Sequence, residues 1–274
     1  MTKDTADLQN PPFEKLIRQP CRLIGEGDEV KLIAHRGLNE MAPEATIPAF
    51  TLAGEKGMWG LKIDLCETKD GALVCSHDLL TDRLFDGSGS VVSKTLKELQ
   101  QLTVIRGANI ERYPGLKIVR FEEALEICRQ YHMHPFLNFK YLLDRSTVFR
   151  AVDILREYRL LDQTVCQCSQ DIVEYVYALR EAADEVPIIF WLWEMNLVYG
   201  LPVLKTLGNA CLGLNAFPGM EERQFEKHVG IIRDMGMPVC AALTNRSQLG
   251  YVRKWVREYG LNLLVTSGIT YEDL

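Results

Sequence analysis

The 274-residue sequence predicts an α/β protein, a single TIM (β/α)8 barrel. Three observations carry that expectation. Short apolar runs rich in β-branched residues alternate with longer amphipathic segments, as parallel βαβ units require. Eight such runs occur, the number a closed barrel of this kind uses. The length also matches one such barrel, typically about 250 residues.

In order, the predicted strands are Leu32–Ala34, Leu61–Leu65, Phe136–Phe139, Thr164–Cys168, Pro187–Leu192, Cys211–Leu214, Pro238–Leu243 and Asn262–Thr266. Between them, apolar positions recur with the helical period. This predicts helices over Pro48–Gly57, Arg120–His132, Ser146–Tyr158, Asp171–Ala183, Leu201–Leu207, Glu221–Met235 and Gln248–Tyr259, with a truncated last element after Gly268. Residues 1–29 are polar and mixed, with Pro11-Pro12 and a short helical stretch around Phe13–Arg18. They are read as an N-terminal extension, leaving 30–274 for the barrel.

One interval breaks the rhythm. Residues 66–119 separate the second and third strands by far more than a helix plus connections of about 2 to 6 residues. The interval holds a turn at Thr68–Gly71, an apolar strand at Ala72–Ser76 and a helix at Thr95–Leu102. The expectation is an inserted hairpin and helix over the barrel mouth, where loops after strands build the active site.

Hydrophobic residues at 47 % and charged residues at 25 % support a large core and exclude general disorder. A net charge of −6 argues against a surface built for nucleic acid or anionic membrane, so an anion site must be a local pocket. No run reaches the roughly 18 apolar residues of a membrane span, and residues 1–30 lack the succession of a secretory leader. The expected setting is cytoplasmic, without a membrane segment and without a nucleic-acid partner. The eight cysteines are read as reduced core thiols, because no paired metal-binding spacing is present. Asp86–Ser90 is glycine-rich but lacks the Lys-Ser/Thr ending of a nucleotide-phosphate loop, and is read as a turn.

The chemistry-bearing residues cluster at predicted strand ends. His35-Arg36-Gly37 follows the first strand, Pro43-Glu44-Ala45-Thr46 precedes a helix, Asp64 closes the second strand, and Ser76-His77-Asp78 ends the inserted strand. Two imidazoles converging on one phosphate can divide proton removal and proton donation near neutral pH. An arginine presents a planar fork of donors suited to phosphate oxygens. Glu44 also precedes a helix start, where a carboxylate favours the helix dipole. Trp193 and Glu194, at the end of the fifth strand, are read as a substrate wall.

In order and spacing these motifs resemble the glycerophosphodiester phosphodiesterase family, whose first strand ends in His-Arg-Gly before Pro-Glu-Asn-Thr. Its second strand carries Glu-x-Asp, followed by Thr-Lys-Asp-Gly and His-Asp. Lys117-Ile118 with Phe121–Leu125 and Leu264-Val265-Thr266 resemble the family's third-strand helix entry and last strand. The resemblance implies a phosphoric diester hydrolase acting on small glycerophosphodiesters, with His35 and His77 as the acid/base pair and a divalent metal, Mg or Ca.

The sequence departs from the family at the metal. Glu-x-Asp reads Lys62-Ile63-Asp64, and the third-strand Glu-x-Lys reads Lys140-Tyr141-Leu142. Lysines thus replace both metal-binding glutamates, and Asp64 is the only retained ligand position. A hard divalent ion needs oxygen ligands and would face two ammonium groups, so no metal cofactor is expected. The related bacterial phosphatidylinositol-specific phospholipases place a side-chain cation there instead. On that pattern Arg36, Lys62 and Lys140 hold the phosphate, with Glu44 and Asp64 in support. Two uses of the lysines stay open: phosphate binding, or an ion pair with Asp64 that only holds the barrel together. The alternative to a hydrolase is accordingly a degenerate barrel that binds a phosphorylated ligand without turnover.

Overall fold

Parallel strands inside a barrel are covered on both faces, which is why they read as continuous apolar runs rather than alternating ones. In the computed structural model, which describes residues 21–25, 29–168, 173–192, 204, 207–215, 222–242 and 245–274, those runs form one sheet. The strands are β1 Lys31–His35, β2 Gly60–Glu67, β3 Leu73–Cys75, β4 His134–Tyr141, β5 Val165–Cys168, β6 Ile188–Leu192, β7 Ala210–Asn215, β8 Cys240–Ala242 and β9 Leu263–Thr266. The described helices are α1 Arg22–Gly25, α2 Ile47–Glu55, α3 Leu96–Gln101, α4 Phe121–Gln130, α5 Ser146–Glu157, α6 Val173–Ala182, α7 Glu222–Asp234 and α8 Leu249–Tyr259. Most of the helix expected at Leu201–Leu207 and most of the N-terminal extension lie outside the described residues.

The barrel closes because β1 pairs in parallel with both β2 and β9, through His35 opposite Lys62 and Ala34 opposite Thr266. The other parallel neighbours follow chain order from β4 to β9. Beyond Lys62, β2 outruns β1, and the short β3 takes that edge antiparallel, pairing Leu65 with Cys75. This is the inserted hairpin.

The β2 to β4 ladder sets the site's geometry. Asp64 faces Asn138, but the register slips after Leu65: Phe139 pairs with Leu65 and Tyr141 with Cys66. Lys140 is thus the extra residue of a bulge, a device that re-aims a side chain. The strands carry one continuous buried core that includes Ile33, Leu61, Ile63, Phe136 and Leu212.

A second buried cluster anchors the insertion. Cys66, Val74, Leu84, Phe85, Val91, Leu99, Val104 and Ile118 pack together against β2 and β3. Within it, α3 is started by a capping box, Thr95 accepting from the Glu98 N–H while the Glu98 carboxylate accepts from the Thr95 N–H. The insertion is therefore fixed to the barrel by its own apolar core. No described helix is long and apolar enough to cross a membrane.

Candidate active site

The His-Arg-Gly turn has a steric cause. Arg36 and Gly37 both have positive φ, 59° and 79°, so the chain reverses at the end of β1. A Cβ on Gly37 would lie 2.6 Å from the Ala49 backbone, so only glycine lets α2 pack this close. The turn leaves His35 and Arg36 at the C-terminal end of the barrel.

Asp64 is the centre of the site. Its side chain is buried, and Oδ1 accepts from Lys62 Nζ at 2.8 Å and from Asn138 Nδ2 at 2.5 Å. Oδ2 lies 3.2 Å from Arg36 Nε, yet neither atom makes a hydrogen bond, so that contact is electrostatic. Arg36 Nη1 donates to Glu44 Oε1 at 3.1 Å. Arg83 Nη2 donates to the same oxygen at 2.5 Å, and Arg83 Nε donates to Asp78 Oδ2. Asp78 Oδ1 in turn lies 2.7 Å from His77 Nδ1. One chain of alternating charge therefore runs Lys62, Asp64, Arg36, Glu44, Arg83, Asp78 and ends on His77.

His35 has a different partner, Ser267 Oγ, 3.3 Å from its Nδ1 and just beyond β9. Its carbonyl accepts from Asn39 Nδ2 at 2.8 Å, which secures the turn. The two histidines are near enough that His77 lowers the proton affinity of His35.

The electrostatics follow from burial among cations. Burial, then Lys62 and Arg36, hold the His35 imidazole well below its usual range. Burial also lowers His77, where Asp64 opposes and Arg36 reinforces the shift, while the hydrogen bond to Asp78 favours the protonated ring. Burial alone would raise the Asp64 carboxyl, but Lys62 and then Arg36 overcome it and hold it far below the carboxylate range. Lys62 is pulled down by burial to about 8, with Asp64 resisting. Lys140 is half-buried and lowers both Lys62 and His77, which places its charge at the same mouth.

The donor set does not fit a divalent cation. Asp64 Oδ1 carries two hydrogen bonds, Oδ2 faces a guanidinium, and Glu44 is held by two arginines. Among the described residues no group of three or more His, Cys, Asp or Glu side chains is arranged to hold a metal.

Of the residues singled out in the sequence, His35, Arg36, Glu44, Lys62, Asp64, His77 and Lys140 are thus brought to one end of the barrel. Glu44 lies outside the first turn of α2, whose N-cap is Thr46, and meets two arginines instead of a helix dipole. Trp193 and Glu194 fall outside the described residues. Trp191 is core: it is buried, and Nε1 donates to Gln167 Oε1 at 3.1 Å. His134 stacks on Trp59 at 3.9 Å at the start of β4, the opposite end of the barrel. The site also takes in Asp78, which the sequence places only as part of the Ser76-His77-Asp78 motif, and Arg83 and Ser267, which lie outside every motif. Adjacency to His77 signals Asp78; nothing local signals the other two.

A parallel eight-stranded barrel with two histidines and a cation-ringed carboxylate at its C-terminal face defines the class: a (β/α)8 protein with a charged polar site at its strand ends. The profile of the glycerophosphoryl diester phosphodiesterase family matches residues 35–266, and the chain belongs to that family. It is 40 % identical over 159 residues to a glycerophosphodiester phosphodiesterase of Caldanaerobacter subterraneus subsp. tengcongensis, covering 57 % of this chain and 63 % of that protein. It is 29 % identical over 174 residues to glycerophosphodiester phosphodiesterase 1 of Bos taurus, covering 62 % of this chain and 51 % of that protein. The chain thus spans about half the length of the mammalian relatives it matches. Among solved structures it resembles a phosphodiesterase of Oleispira antarctica in complex with the product sn-glycerol-3-phosphate, at TM-score 0.73 and 24 % identity over 87 % of this chain and 93 % of that one. A glycerophosphodiester phosphodiesterase of Thermotoga maritima matches at TM-score 0.66 and 19 % identity, over 88 % and 95 % of the two chains. These two likenesses show the barrel fold.

Proposed function

We propose that the chain hydrolyses small glycerophosphodiesters by His-His acid/base chemistry without a divalent metal. The observation that carries the reading is the convergence of His35 and His77 on a mouth whose carboxylate is already neutralised by Lys62 and Arg36. Such a pocket keeps positive potential for a phosphate without an added ion.

His35, buried beside two cations, stays neutral and serves as the base that takes the proton from the substrate's neighbouring glycerol hydroxyl. That oxygen bonds to phosphorus, the bond from phosphorus to the leaving alcohol breaks, and His77 in its protonated form, held through Nδ1 by Asp78, gives the alcohol the proton on Nε2. A cyclic glycerol phosphate remains. Water then opens it with the two histidines in exchanged roles, releasing glycerol phosphate. The Oleispira antarctica protein holds a product of this kind, which supports the substrate class. Lys140, for which no described carboxylate is a partner, is the first contact for a phosphate oxygen, with Arg36 and Lys62 completing the positive wall.

The test is release of choline or inositol from glycerophosphocholine or glycerophosphoinositol in excess chelator, abolished in His35→Ala. A strict requirement for magnesium or calcium would sink the metal-free mechanism. Calorimetric binding of an intact diester with no turnover over days would instead establish a barrel that captures phosphorylated ligands.

A further inference from the structure

Arg83 stands outside every motif above, yet it joins two carboxylates from different parts of the fold. Its Nη2 and Nη1 reach Glu44 Oε1 and Oε2 at 2.5 and 3.4 Å, and its Nε reaches Asp78 Oδ2. Glu44 belongs to the β1–α2 loop of the barrel, whereas Asp78 and Arg83 belong to the insertion. Asp78 is left with one oxygen, Oδ1, which lies on His77 Nδ1.

The element that carries Arg83 is braced. Arg83 ends a 3-10 turn, Thr81–Arg83, whose first hydroxyl donates to the Gly87 carbonyl at 2.8 Å. The flanking chain is closed by Thr81 N–H to Gly89 O at 3.0 Å and Val91 N–H to Leu79 O at 2.8 Å. The next two residues, Leu84 and Phe85, are buried in the insertion's own core. A guanidinium held from behind in this way can fix what lies in front of it.

Stability alone is a poor reason for the arrangement. Arg83 is 46 % exposed, and an ion pair so well solvated adds little to folding. What the fork does fix is the orientation of the Asp78 carboxylate, and through it the ring of His77. A carboxylate on Nδ1 keeps a proton there and leaves Nε2 as the reactive nitrogen, which carries the proton it gives the leaving alcohol and offers a lone pair once that proton has gone. We infer that Arg83 is a positioning residue: by clamping Asp78 against Glu44 it holds His77 in the single tautomer and orientation that points Nε2 at the barrel mouth. Lysine could not replace it, because one ammonium cannot span both carboxylates in the plane the guanidinium provides.

The inference rests on the proposed role of His77, but its test does not. In protein labelled with 15N on histidine, the His77 ring signals, assigned by their loss in His77→Gln, are compared in wild type, Arg83→Ala and Arg83→Lys. At a pH where the ring is neutral, wild type is expected to show one tautomer, with the proton on Nδ1 and Nε2 unprotonated. Both variants are expected to show averaged shifts of mixed tautomers while the other four histidines keep theirs. If Arg83→Ala does not fold, Arg83→Lys, which keeps the charge and loses the fork, carries the test alone. An unchanged His77 tautomer in a folded variant would overturn the proposal and leave Arg83 a surface ion pair. Where diester hydrolysis is measurable, kcat should fall about tenfold or more with KM little changed. Absence of hydrolysis in wild type would defeat the proposed function while the tautomer result stands.

Discussion

Lys62 and Asp64 lie two residues apart on one face of β2 and meet at 2.8 Å inside a barrel wall where both are almost fully buried. Such a pair is costly to bring out of water and costlier to break. Lys62→Met leaves a buried carboxylate with weaker compensation and should destabilise the protein by about 3 kcal/mol, whereas Lys62→Met with Asp64→Leu should recover most of that loss. Urea denaturation of the two variants and the wild type checks this. A single variant as stable as wild type would show that Arg36 and Asn138 suffice for Asp64.

Restoring carboxylates should restore a metal site. Lys62→Glu with Lys140→Glu exchanges two ammonium groups for oxygen ligands beside Asp64, and calcium or magnesium binding should appear by calorimetry where wild type is expected to show none. If the double variant binds neither ion, the lysines are not what keeps a metal out.

Acid should weaken the fold before the carboxylates titrate. Burial lowers the proton affinity of His35, His77, His134 and His228 in the folded chain. Below about pH 6.5 the unfolded chain takes up protons that the native one refuses, so stability is present above that pH and lost as it falls. Asp64, held low in the native state, extends the loss below about pH 4. The urea midpoint should therefore drop between pH 7.5 and 5.5, and less steeply in His35→Gln. A flat midpoint across that window would contradict the burial assigned to His35.

Arg180 should be a stability residue far from the site. Its guanidinium donates to the backbone carbonyls of Leu207, Asp184, Val186, Gly208 and Asn209, tying α6 to the connections entering β6 and β7. Arg180→Met removes these donors together and should cost about 2 to 4 kcal/mol. Thermal unfolding reads the loss. A melting temperature within a degree of wild type would mean that water replaces the guanidinium.

The strands were legible because buried parallel strands must be apolar throughout, and Lys62 with Asp64 could be placed on one face from the pleat alone. Helix ends differ from expectation by a residue or two: α4 stops at Gln130, since His132 adopts positive φ before β4. The polar network was legible only where it is local. Asp78 touches its chain neighbour His77, but Arg83 meets Glu44 across 39 positions, and His35 meets Ser267 across 232. No periodicity or spacing encodes such pairs; they exist because closure brings loops together. The bulge at Lys140 was likewise invisible, as a slip in register depends on both strands.

The long reach from His35 to Ser267 has a consequence for how the molecule matures. β1 is made well before β9, yet its histidine has no hydroxyl to orient it until β9 emerges and seals the sheet between β8 and β1. Pairings so remote in sequence form slowly. Until they form, a chain can possess nearly all its secondary structure and still present an unaligned imidazole, so the competence of the mouth reports the completion of the barrel.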